Sequence, residues 1–291
     1  MASRVQYRAV RPPRGSQMAL GMGRGRGRSG AGIRILIALA LAAFALISYF
    51  SSREVNPITG ETQYVALEPD QEIAMGLQAA PEMIQQHGGE YPDPKLQDYI
   101  DQVGYRIVRN SDAAKTNWQF DFHLLADSQT INAFALPGGQ VFITAALYKK
   151  LQTEGQLAGV LGHEIGHVIA RHGAQRIAKG QLTDGLIGAV VVGSGSQNTA
   201  QVAAMIGELV NMKYGREDEL ESDDLGVRFM TQAGYDPNAM IGVMEILADS
   251  SEGQAPPEFF STHPNPENRI QKIQAAIQKY YPNGLPAGLE E

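Results

Sequence analysis

The sequence predicts an α+β domain, mainly helical with a small sheet, that follows a single hydrophobic anchor helix. Three observations support this fold class. One hydrophobic stretch near the N-terminus covers residues 33–50, alternation typical of strands is confined to residues 118–144, and helical spacing dominates most of the chain after residue 153. Strands that come early and helices that come late favour α+β over alternating α/β architecture.

The charge of the chain is divided unevenly along its length. The 291 residues carry a net charge of −7, yet residues 1–34 contain eight arginines, no lysine and no acidic residue. Removing these eight from the 24 basic residues leaves 16 against 31 acidic ones, a balance of −15 for the rest. An acidic body repels phosphate, which argues against nucleic acid as a partner. The chain has no cysteine, which excludes disulfides and cysteine nucleophiles.

The N-terminal region has the organisation of a membrane anchor. We predict a basic cytoplasmic tail over residues 1–32 and a transmembrane helix over residues 33–50, because 18 helical residues span about 27 Å of hydrocarbon. Arginines stay on the cytoplasmic side, so the rest of the chain is expected outside the cytoplasm, with the anchor helix in contact with the lipid bilayer. A bacterial inner membrane facing the periplasm fits best, and a mitochondrial inner membrane is the alternative.

A cleaved signal peptide is the competing interpretation of this region. Its cleavage site should contain small residues, but the hydrophobic stretch ends with Ile47-Ser48-Tyr49-Phe50. A mitochondrial presequence would also be rich in arginine and free of acid. The glycines of the tail argue against it, because they weaken the amphipathic helix that such signals form. An uncleaved anchor is therefore the favoured prediction.

A polar linker over residues 51–68 carries a turn signal at Pro57 and Gly60 and leads to a single domain over residues 69–291. With 43% hydrophobic residues, the chain can bury a core. Hydrophobic spacing predicts the first two helices of the domain over residues 70–86 and 95–108.

The strands of the domain are predicted from alternation. Residues 118–125 alternate in hydrophobicity, and residues 132–136 and 140–144 flank Pro137-Gly138-Gly139 as a short hairpin or bent strand pair. Proline and glycine are tolerated better at the edge of a sheet than at its centre, so we expect an exposed sheet edge here.

Residues 182–192 form an apolar, glycine-rich segment that is too short to span a membrane. A buried or flexible helix that covers a site is the favoured interpretation. Contact with a membrane is the alternative that the sequence leaves open.

The motif HExxH occupies residues 163–167 within a predicted helix. Thr153 and Gln156 resemble a capping box, which places the start of the helix there. His163 and His167 then lie one turn apart, roughly opposite an apolar arc, where two imidazoles can bind one Zn²⁺ while Glu164 projects beside them. We therefore predict one catalytic zinc ion as the cofactor.

A catalytic zinc needs a third protein ligand, and the acidic helix predicted over residues 216–230 offers candidates. At 100° per residue, Glu219 and Asp223 share a stripe with apolar residues, whereas Glu217 and Glu221 lie on a solvated face. Carboxylates on an apolar stripe are costly to bury unless they are paired or bound to metal. We predict that Glu219 binds zinc and that Asp223 accepts an N–H from a ligand histidine. The alternative is that both acids stay hydrated at the edge of a groove.

These motifs together resemble family 48 of the metallopeptidases, a family of gluzincins. The resemblance rests on HExxH with Glu219 placed 52 residues after His167, and it covers roughly residues 70–280. Its other parts are residues 132–139, Arg171-His172, residues 234–237 and residues 262–270. One departure is Ser222, where the family usually has alanine. The resemblance implies a zincin-like fold, and the single candidate span indicates the branch of the family with a soluble domain.

The resemblance also implies roles for individual residues. Glu164 is expected to accept a proton from water and pass it to the leaving amine, while His263 and Arg269 help to stabilise the oxyanion. In some relatives the matching histidine can approach the metal in a resting form. An edge strand beside the zinc is expected to bind substrate through its backbone. The substrate-binding residues expected there are Asn132, Ala133, Phe134, Gly138, Gly139, Gln140 and Val141. The remaining histidines, His87, His123 and His172, are expected to be structural or at the surface.

The expected function is that of a membrane-anchored zinc endopeptidase, with protein or peptide substrates. Unfolded or misassembled proteins outside the cytoplasm fit best, because backbone pairing makes little demand on sequence. Two alternatives stay open. One is a chaperone or assembly factor that uses the same groove, with proteolysis secondary, and the other is a zinc hydrolase that acts on a bond other than the peptide bond.

Overall fold

The computed structural model describes residues 29–194, 215–250, 257–263 and 268–291. Within them the chain is mainly helical, with one hairpin and one three-stranded sheet, and the predicted α+β class is confirmed. Residues 1–28, which make up most of the predicted basic tail, lie outside the described residues.

The N-terminal helix α1 (Ser29–Ser51) stands apart from the core of the domain. Its segment Gly30–Ser51 is long and apolar enough to cross a bilayer, and it is the one helix among the described residues that meets this criterion. Large apolar side chains project from it into the surroundings, among them Ile33, Leu36, Leu39, Phe44 and Ile47. A helix that is apolar and exposed needs a nonpolar environment, which agrees with the predicted anchor.

The predicted linker is more ordered than expected. Strands β1 (Arg53–Val55) and β2 (Thr62–Tyr64) pair antiparallel around the predicted turn. The side-chain oxygen of Asn56 accepts hydrogen bonds from the amides of Ile58 and Thr59, at 2.9 and 3.1 Å, and closes this turn. The side-chain amide of Asn56 also donates to the carbonyl of Ile169, at 2.7 Å, so the hairpin is fastened to the domain.

The first two helices of the domain begin at prolines. They are α2 (Pro69–Gln86) and α3 (Pro94–Asn110), close to the predicted bounds. Proline suits a first helical turn because its φ is already helical and its missing N–H would have no partner there. Asp93 caps α3 by accepting a hydrogen bond from the amide of Lys95, at 3.0 Å.

The three-stranded sheet contains β3 (Asp121–Leu125), β4 (Ala133–Ala135) and β5 (Gln140–Thr144), in the order β3-β5-β4. The hairpin of β4 and β5 forms as predicted, but β5 is the central strand, fully buried and parallel to β3. The sequence prediction of an edge was therefore right for β4 and wrong for β5. Proline and both glycines lie in the connecting turn, which leaves the continuous apolar run of β5 free to be covered on both faces.

The first predicted strand is also shorter than expected, since β3 starts at Asp121 rather than at residue 118. Residues at and just before the start of β3 instead form hydrogen bonds with the backbone of the turn between β4 and β5. The carbonyl of Gly138 accepts a hydrogen bond from Gln119, at 3.0 Å, and the carbonyl of Gly139 accepts one from Asp121, at 3.1 Å. A side chain on Gly139 would come within 2.7 Å of the Gln119 carbonyl, so this close approach requires glycine.

The core of the domain surrounds helix α5 (Glu154–Ile169), which follows the short helix α4 (Ala145–Tyr148) and is buried along nearly its whole length. Helix α7 (Arg216–Gln232) packs against α5 at very short range. A Cβ on Gly166 would lie 2.9 Å from the carbonyl of Ser222, and one on Gly226 would lie 3.4 Å from the backbone of α5. These glycines bring the acidic helix close enough for its carboxylates to meet the histidines of α5.

Helix α6 (His172–Ser194) departs from the sequence prediction. Its first turns pack on the domain, but residues 182–192 neither enter the core nor cover the site, and instead they run along α1. The fold is completed by α8 (Ala239–Asp249), α9 (Phe259–Thr262) and α10 (Arg269–Tyr280), with α8 and α10 packed on the helices of the core.

Candidate metal centre

Helix α5 positions two histidines and a glutamate inside the domain. Thr153 caps it by accepting a hydrogen bond from the amide of Gln156, at 3.2 Å, and the Gln156 side chain accepts one from the amide of Gln152, at 2.7 Å. The HExxH face is covered by α7 and by the segment that carries His263, so all its polar side chains are buried. Burial of so many ionisable groups is costly unless they pair or bind a cation.

Four side chains converge beside this helix, and each offers one ligand atom within 4.8 Å of the others: His163, His167, Glu219 and His263. The Nε2 atoms of His163 and His167 are 3.1 Å apart, and each lies 3.5 Å from a carboxylate oxygen of Glu219. Ligand atoms of a tetrahedral zinc site lie about 3.3 Å apart, given zinc–ligand bonds of about 2.0 Å. The donor set and its spacing therefore suit zinc.

Glu219 is fully buried, and its charge is held by its neighbours. Burial raises the pKa of this carboxyl, but hydrogen bonds to His163, His167 and His263 outweigh burial and lower the pKa well below its usual range. The alternative that Glu219 and Asp223 stay hydrated at a groove edge is wrong, because both are buried. A carboxylate that stays ionised among imidazoles is a ready ligand for a cation.

Glu164 lies next to the cluster, and its surroundings differ from those of Glu219. Neither of its carboxylate oxygens accepts a hydrogen bond from any residue that the structure describes, although both are buried. The nearest of the ring nitrogens, Nε2 of His263, is 3.6 Å from Oε1 of Glu164. Burial raises the pKa of Glu164, and the nearby histidines offset this only in part. A buried carboxylate with open acceptor positions and a raised pKa suits a general base.

Asp223 and Arg269 form a buried pair behind His163. Nδ1 of His163 and Oδ1 of Asp223 are 2.9 Å apart, and Nε of Arg269 donates to Oδ2 of Asp223 at 2.7 Å. Burial alone would raise the pKa of Asp223, but the guanidinium of Arg269 lowers this pKa by more, so the carboxylate stays ionised. This geometry matches the predicted role of Asp223, since a hydrogen-bonded carboxylate fixes the tautomer and orientation of a ligand histidine.

The structure adds contacts of Arg269 that the sequence did not indicate. Its guanidinium faces two carboxylates, those of Asp223 and, at 3.3 Å from Nη1, Glu219. Its Nη1 has no hydrogen-bond partner among the described residues. The part of Arg269 in stabilising the oxyanion therefore stays a prediction, and its contacts add a positioning role.

His263 follows α9 and borders the cluster, between Glu219 and the residues of α5. Its amide donates to the carbonyl of Phe259 at 2.7 Å, and its ring stacks on that of Phe259 with a centroid distance of 4.4 Å. Its Nδ1 lies 3.1 Å from Glu219. This position is compatible both with an electrophile beside Glu164 and with a fourth ligand atom. Pro264, the next residue, lies outside the described residues.

His172 is a site residue that the sequence interpretation assigned only a structural part. It begins α6, and its Nδ1 lies 2.9 Å from Nδ1 of His167. Its Nε2 lies 3.2 Å from Glu221, and the hydroxyl of Ser222 lies 3.3 Å from its Nδ1. His172 and Glu221 thus support His167 much as Asp223 supports His163. Spacing could not reveal this, because His172 lies in a different helix from the HExxH motif.

A groove with a volume of about 850 Å³ lies beside the metal centre, although none of the four candidate ligands lines it. It lies between α2, the outer edge of β4 and the first turns of α6, and it is lined mostly by apolar atoms. Thr262 and Gly173, the neighbours of His263 and His172, lie on its wall. The groove therefore approaches the metal centre through the chain neighbours of His263 and His172.

The predicted substrate-binding residues separate into two sets. Asn132 and Phe134 line the groove, and Ala133 is buried between them. Gly138, Gly139, Gln140 and Val141 do not line it. The two glycines pack against α2 and the segment before β3, and the side chain of Gln140 contacts His123 at 3.0 Å. Pro137 still lines the groove, and the chain leaves it only from Gly138 onward.

Two other histidines, His123 and His87, lie outside the metal centre. His123 stacks on Phe142 and has the structural position expected for it. His87 lies on the wall of the groove, where Nδ1 is 3.1 Å from Asp127 and the ring stands against Phe134 at a centroid distance of 5.5 Å. The expectation for His87 did not foresee a position beside the edge strand.

Comparison with known proteins shows which proteins are similar in sequence to this chain. It is 32% identical over 249 residues to the beta-barrel assembly-enhancing protease of Yersinia pestis, covering 80% of this chain and 49% of that protein. It is 32% identical over 237 residues to the protein of the same name from Escherichia coli (strain K12), covering 77% and 47%. The chain thus spans about half the length of these bacterial relatives.

A relative from a mitochondrial setting is similar to the same degree. The chain is 32% identical over 235 residues to the mitochondrial metalloendopeptidase OMA1 of Schizosaccharomyces pombe, covering 78% of this chain and 67% of that protein. The profile of Peptidase family M48 matches residues 94–277, which include every candidate ligand. The resemblance inferred from the motifs, and with it the metallopeptidase class, is thereby confirmed. Because this profile covers more than half of the sequence, the chain belongs to Peptidase family M48.

Proposed function

We propose that this chain is a zinc-dependent endopeptidase, anchored in a membrane, that cleaves unfolded or misassembled proteins. The observation that carries the proposal is the buried cluster of His163, His167, Glu219 and His263 next to the open carboxylate of Glu164. Zinc is the metal that three such nitrogen and oxygen donors suit best in a hydrolase. The first three residues are the proposed protein ligands, which leaves His263 near the reacting groups.

The side chains around the centre have separable tasks in peptide hydrolysis. A zinc ion bound there supplies a Lewis acid that polarises water and the scissile carbonyl. Glu164 takes the proton from the attacking water and passes it to the leaving amine. His263, 3.6 Å from Glu164, is placed to donate a hydrogen bond to the oxyanion. Asp223 and Arg269 hold His163 in place.

Substrate is proposed to bind along the outer edge of β4. This strand pairs with β5 on one side and has no strand partner on the other among the described residues. An extended polypeptide can add to such an edge through backbone hydrogen bonds, with Asn132, Phe134 and Leu136 contacting it from the groove wall. Backbone pairing selects unfolded segments rather than a particular sequence. Both bacterial relatives are beta-barrel assembly-enhancing proteases, which agrees with a role in envelope quality control.

The proposed orientation follows from the charge of the N-terminus. Eight arginines precede or begin the hydrophobic stretch, and they favour a cytoplasmic tail. The domain after α1 would then lie outside the cytoplasm. A bacterial inner membrane remains the preferred setting, and the similarity to a mitochondrial enzyme keeps the mitochondrial inner membrane as the alternative.

The substitution Glu164→Gln tests the proposal directly. The full chain, purified in detergent, is given an unfolded protein that carries self-quenched dyes. We expect the variant to lose cleavage by at least about 100-fold, because proton transfer by a positioned base contributes this much, while its zinc content stays unchanged. Glu245→Gln is the matched control, since Glu245 is exposed on α8 away from the groove.

The same experiment separates the alternatives. If Glu164→Gln cleaves the unfolded protein as fast as the unchanged chain, the endopeptidase assignment is wrong. A chain that binds the unfolded protein and prevents its aggregation without cleaving it would be a chaperone. Zinc-dependent cleavage of the peptide bonds themselves would exclude a hydrolase that acts on other bonds only.

A further inference from the structure

The second half of α6 packs against the anchor helix α1. The two helices run antiparallel, as two close contacts along them show. A Cβ on Gly185 would lie 2.7 Å from Cβ of Ala45, and one on Gly193 would lie 3.2 Å from Cβ of Ala38. Small residues at both points let the helices approach closely, as is common for helices that associate in a bilayer. The contact therefore covers at least residues 38–45 of the anchor helix.

This pairing sets the depth that α6 reaches. Ala45 precedes the end of α1 at Ser51 by six residues, about 9 Å, and Ala38 precedes it by 13 residues, about 20 Å. The hydrocarbon core of a bilayer is about 30 Å thick. If α1 crosses the bilayer, residues 185–193 of α6 lie beside it at depths that belong to the hydrocarbon.

The composition of α6 changes at the same place. Its first half carries Arg176, Lys179 and Asp184, whereas residues 185–193 contain no charged side chain. Within this uncharged part Val190 is 51% exposed, so an apolar surface faces outward on the flank away from α1. An exposed apolar helix surface beside an exposed apolar anchor forms one continuous nonpolar surface.

A cleft of about 260 Å³ between the two helices shows a similar change, from apolar side chains at one end to polar ones at the other. Its deeper wall on α1 is formed by Leu41 and Phe44, and the residues nearer the outer end of α1 are Ser48, Tyr49 and Ser52. Apolar groups deep in the bilayer and aromatic or hydroxyl groups at its surface are the arrangement expected at a membrane interface. The lining of the cleft therefore supports the depth in the bilayer that is assigned to both helices.

We propose that residues 185–193 of α6 are inserted into the lipid bilayer from its outer side, packed on α1, so that the hydrocarbon of the lipids is the binding partner of this surface. The proposal rests on the proposed membrane anchoring through α1. It assigns to the chain a second membrane-embedded element that is too short to be recognised as a span.

Insertion places the substrate groove at the surface of the membrane. Residues 173–180 of α6 form one wall of the groove, and they lie about 8 to 18 Å outward from the level of Gly185. That wall therefore stands between the level of the outer end of α1 and about 9 Å beyond it. The substrates best placed for cleavage are polypeptide segments close to the bilayer.

Site-directed spin labelling tests the insertion. The chain contains no cysteine, so each single-cysteine variant carries one label. The full chain is reconstituted into phosphatidylcholine–phosphatidylglycerol vesicles with Val190→Cys, Leu39→Cys or Gln271→Cys. Leu39 is 62% exposed on α1 at nearly the level of Val190, and Gln271 is exposed on α10 in the domain. Relaxation by oxygen, which concentrates in lipid, is compared with relaxation by a water-soluble nickel chelate.

We expect the labels at positions 190 and 39 to be accessible to oxygen and protected from the nickel chelate, at depths within about one helical turn, 5 Å, of each other. The label at position 271 should show the reverse. Nickel accessibility at position 190 with oxygen accessibility at position 39 would overturn the insertion of α6 alone. Nickel accessibility at both positions would overturn the anchoring by α1 and the insertion with it.

Discussion

The two candidate ligand histidines are supported by different partners at their Nδ1 atoms. His163 is held by a carboxylate, that of Asp223, which is paired in turn with Arg269. His167 is held by another imidazole, that of His172, which contacts Glu221. If His167 binds metal through Nε2, its Nδ1–H donates to His172, and His172 uses its other nitrogen to donate to Glu221. The second chain of contacts reaches the solvent, whereas the first is fully buried.

Separate substitutions of three glutamates on α7 distinguish a zinc ligand from a residue that supports a ligand and from an exposed residue. We expect Glu219→Ala to abolish stoichiometric zinc binding, because one of the three proposed protein ligands is lost. Glu221→Ala should weaken zinc affinity by about tenfold through His172. Glu217→Ala should leave the affinity unchanged, since Glu217 is exposed on the far side of the helix. Competition with a chromogenic chelator measures all three, and equal losses for Glu219→Ala and Glu221→Ala would contradict the assignment.

His172 itself offers a second test. His172→Phe keeps the size of the ring but removes the hydrogen bond to His167, so zinc affinity should fall about 10- to 100-fold. Ser222→Ala should have little effect, because the hydroxyl lies at the longer distance of 3.3 Å and His172 keeps its two other contacts. The readout is zinc affinity together with the thermal midpoint in the presence of chelator. A fall in the midpoint with unchanged zinc affinity would mean that His172 only stabilises the fold.

At the scale of elements, one residue joins the catalytic helix to the rest of the domain. Arg171 connects α5 with α6 in the left-handed region, with φ of 56°. Its buried guanidinium donates to Glu72 on α2, at 2.8 Å, and to the carbonyl of Leu67, at 2.7 Å, and it also pairs with Glu54 in β1. The end of the HExxH helix, the hairpin and a wall of the groove thus share a single anchor point.

Removal of Arg171 should therefore destabilise the domain. In Arg171→Met the carboxylate of Glu72, which is only 2% exposed, is left without its counter-charge, and we expect a loss of about 3 kcal/mol in the free energy of unfolding. The double variant Arg171→Met/Glu72→Leu should recover part of this loss, because no charge is left buried. Arg109→Met, at an exposed position on α3, is the control. Urea unfolding followed by tryptophan fluorescence gives the values, and a double variant less stable than Arg171→Met would argue against a buried-charge penalty.

At the scale of the whole molecule, helix α6 joins the wall of the groove to the proposed anchor helix α1. The groove wall on α6 continues directly into residues 185–193, and the ligand partner His172 is the first residue of the same helix. If residues 185–193 are inserted as proposed, the distance between the metal centre and the bilayer is set by a helix rather than by a flexible linker.

Cleavage should consequently depend on how far a substrate reaches from the bilayer. We expect a peptide tethered to lipid by a flexible spacer of about ten residues to be cleaved faster than one with a spacer of about 100 residues, by roughly 30-fold, because effective concentration falls with about the −3/2 power of spacer length. The untethered peptide serves as the reference. Initial rates on vesicles that contain the full chain provide the measurement. An optimum at the long spacer would place the groove far from the membrane.

Much of the centre could be predicted because its signals are local. HExxH places two imidazoles one turn apart whatever surrounds them, and the helical phase of Glu219 and Asp223 separated them from the solvated acids of the same helix. The hairpin of β4 and β5 was likewise visible in alternation and turn residues. The interpretation was wrong where a segment is surrounded by distant parts of the chain, as for the central position of β5 and for the course of residues 182–192.

The sequence by itself determined the anchor stretch, the helices of the domain, the metal-binding pattern and the family, since each depends on spacing within a segment or on motifs in a fixed order. Only the tertiary structure decided that Arg269 faces Asp223, that His172 supports His167, that the chain leaves the groove at Gly138 and that α6 packs along α1. Those outcomes depend on contacts between residues far apart in the chain. Local periodicity carries no information about which distant surface a helix will meet.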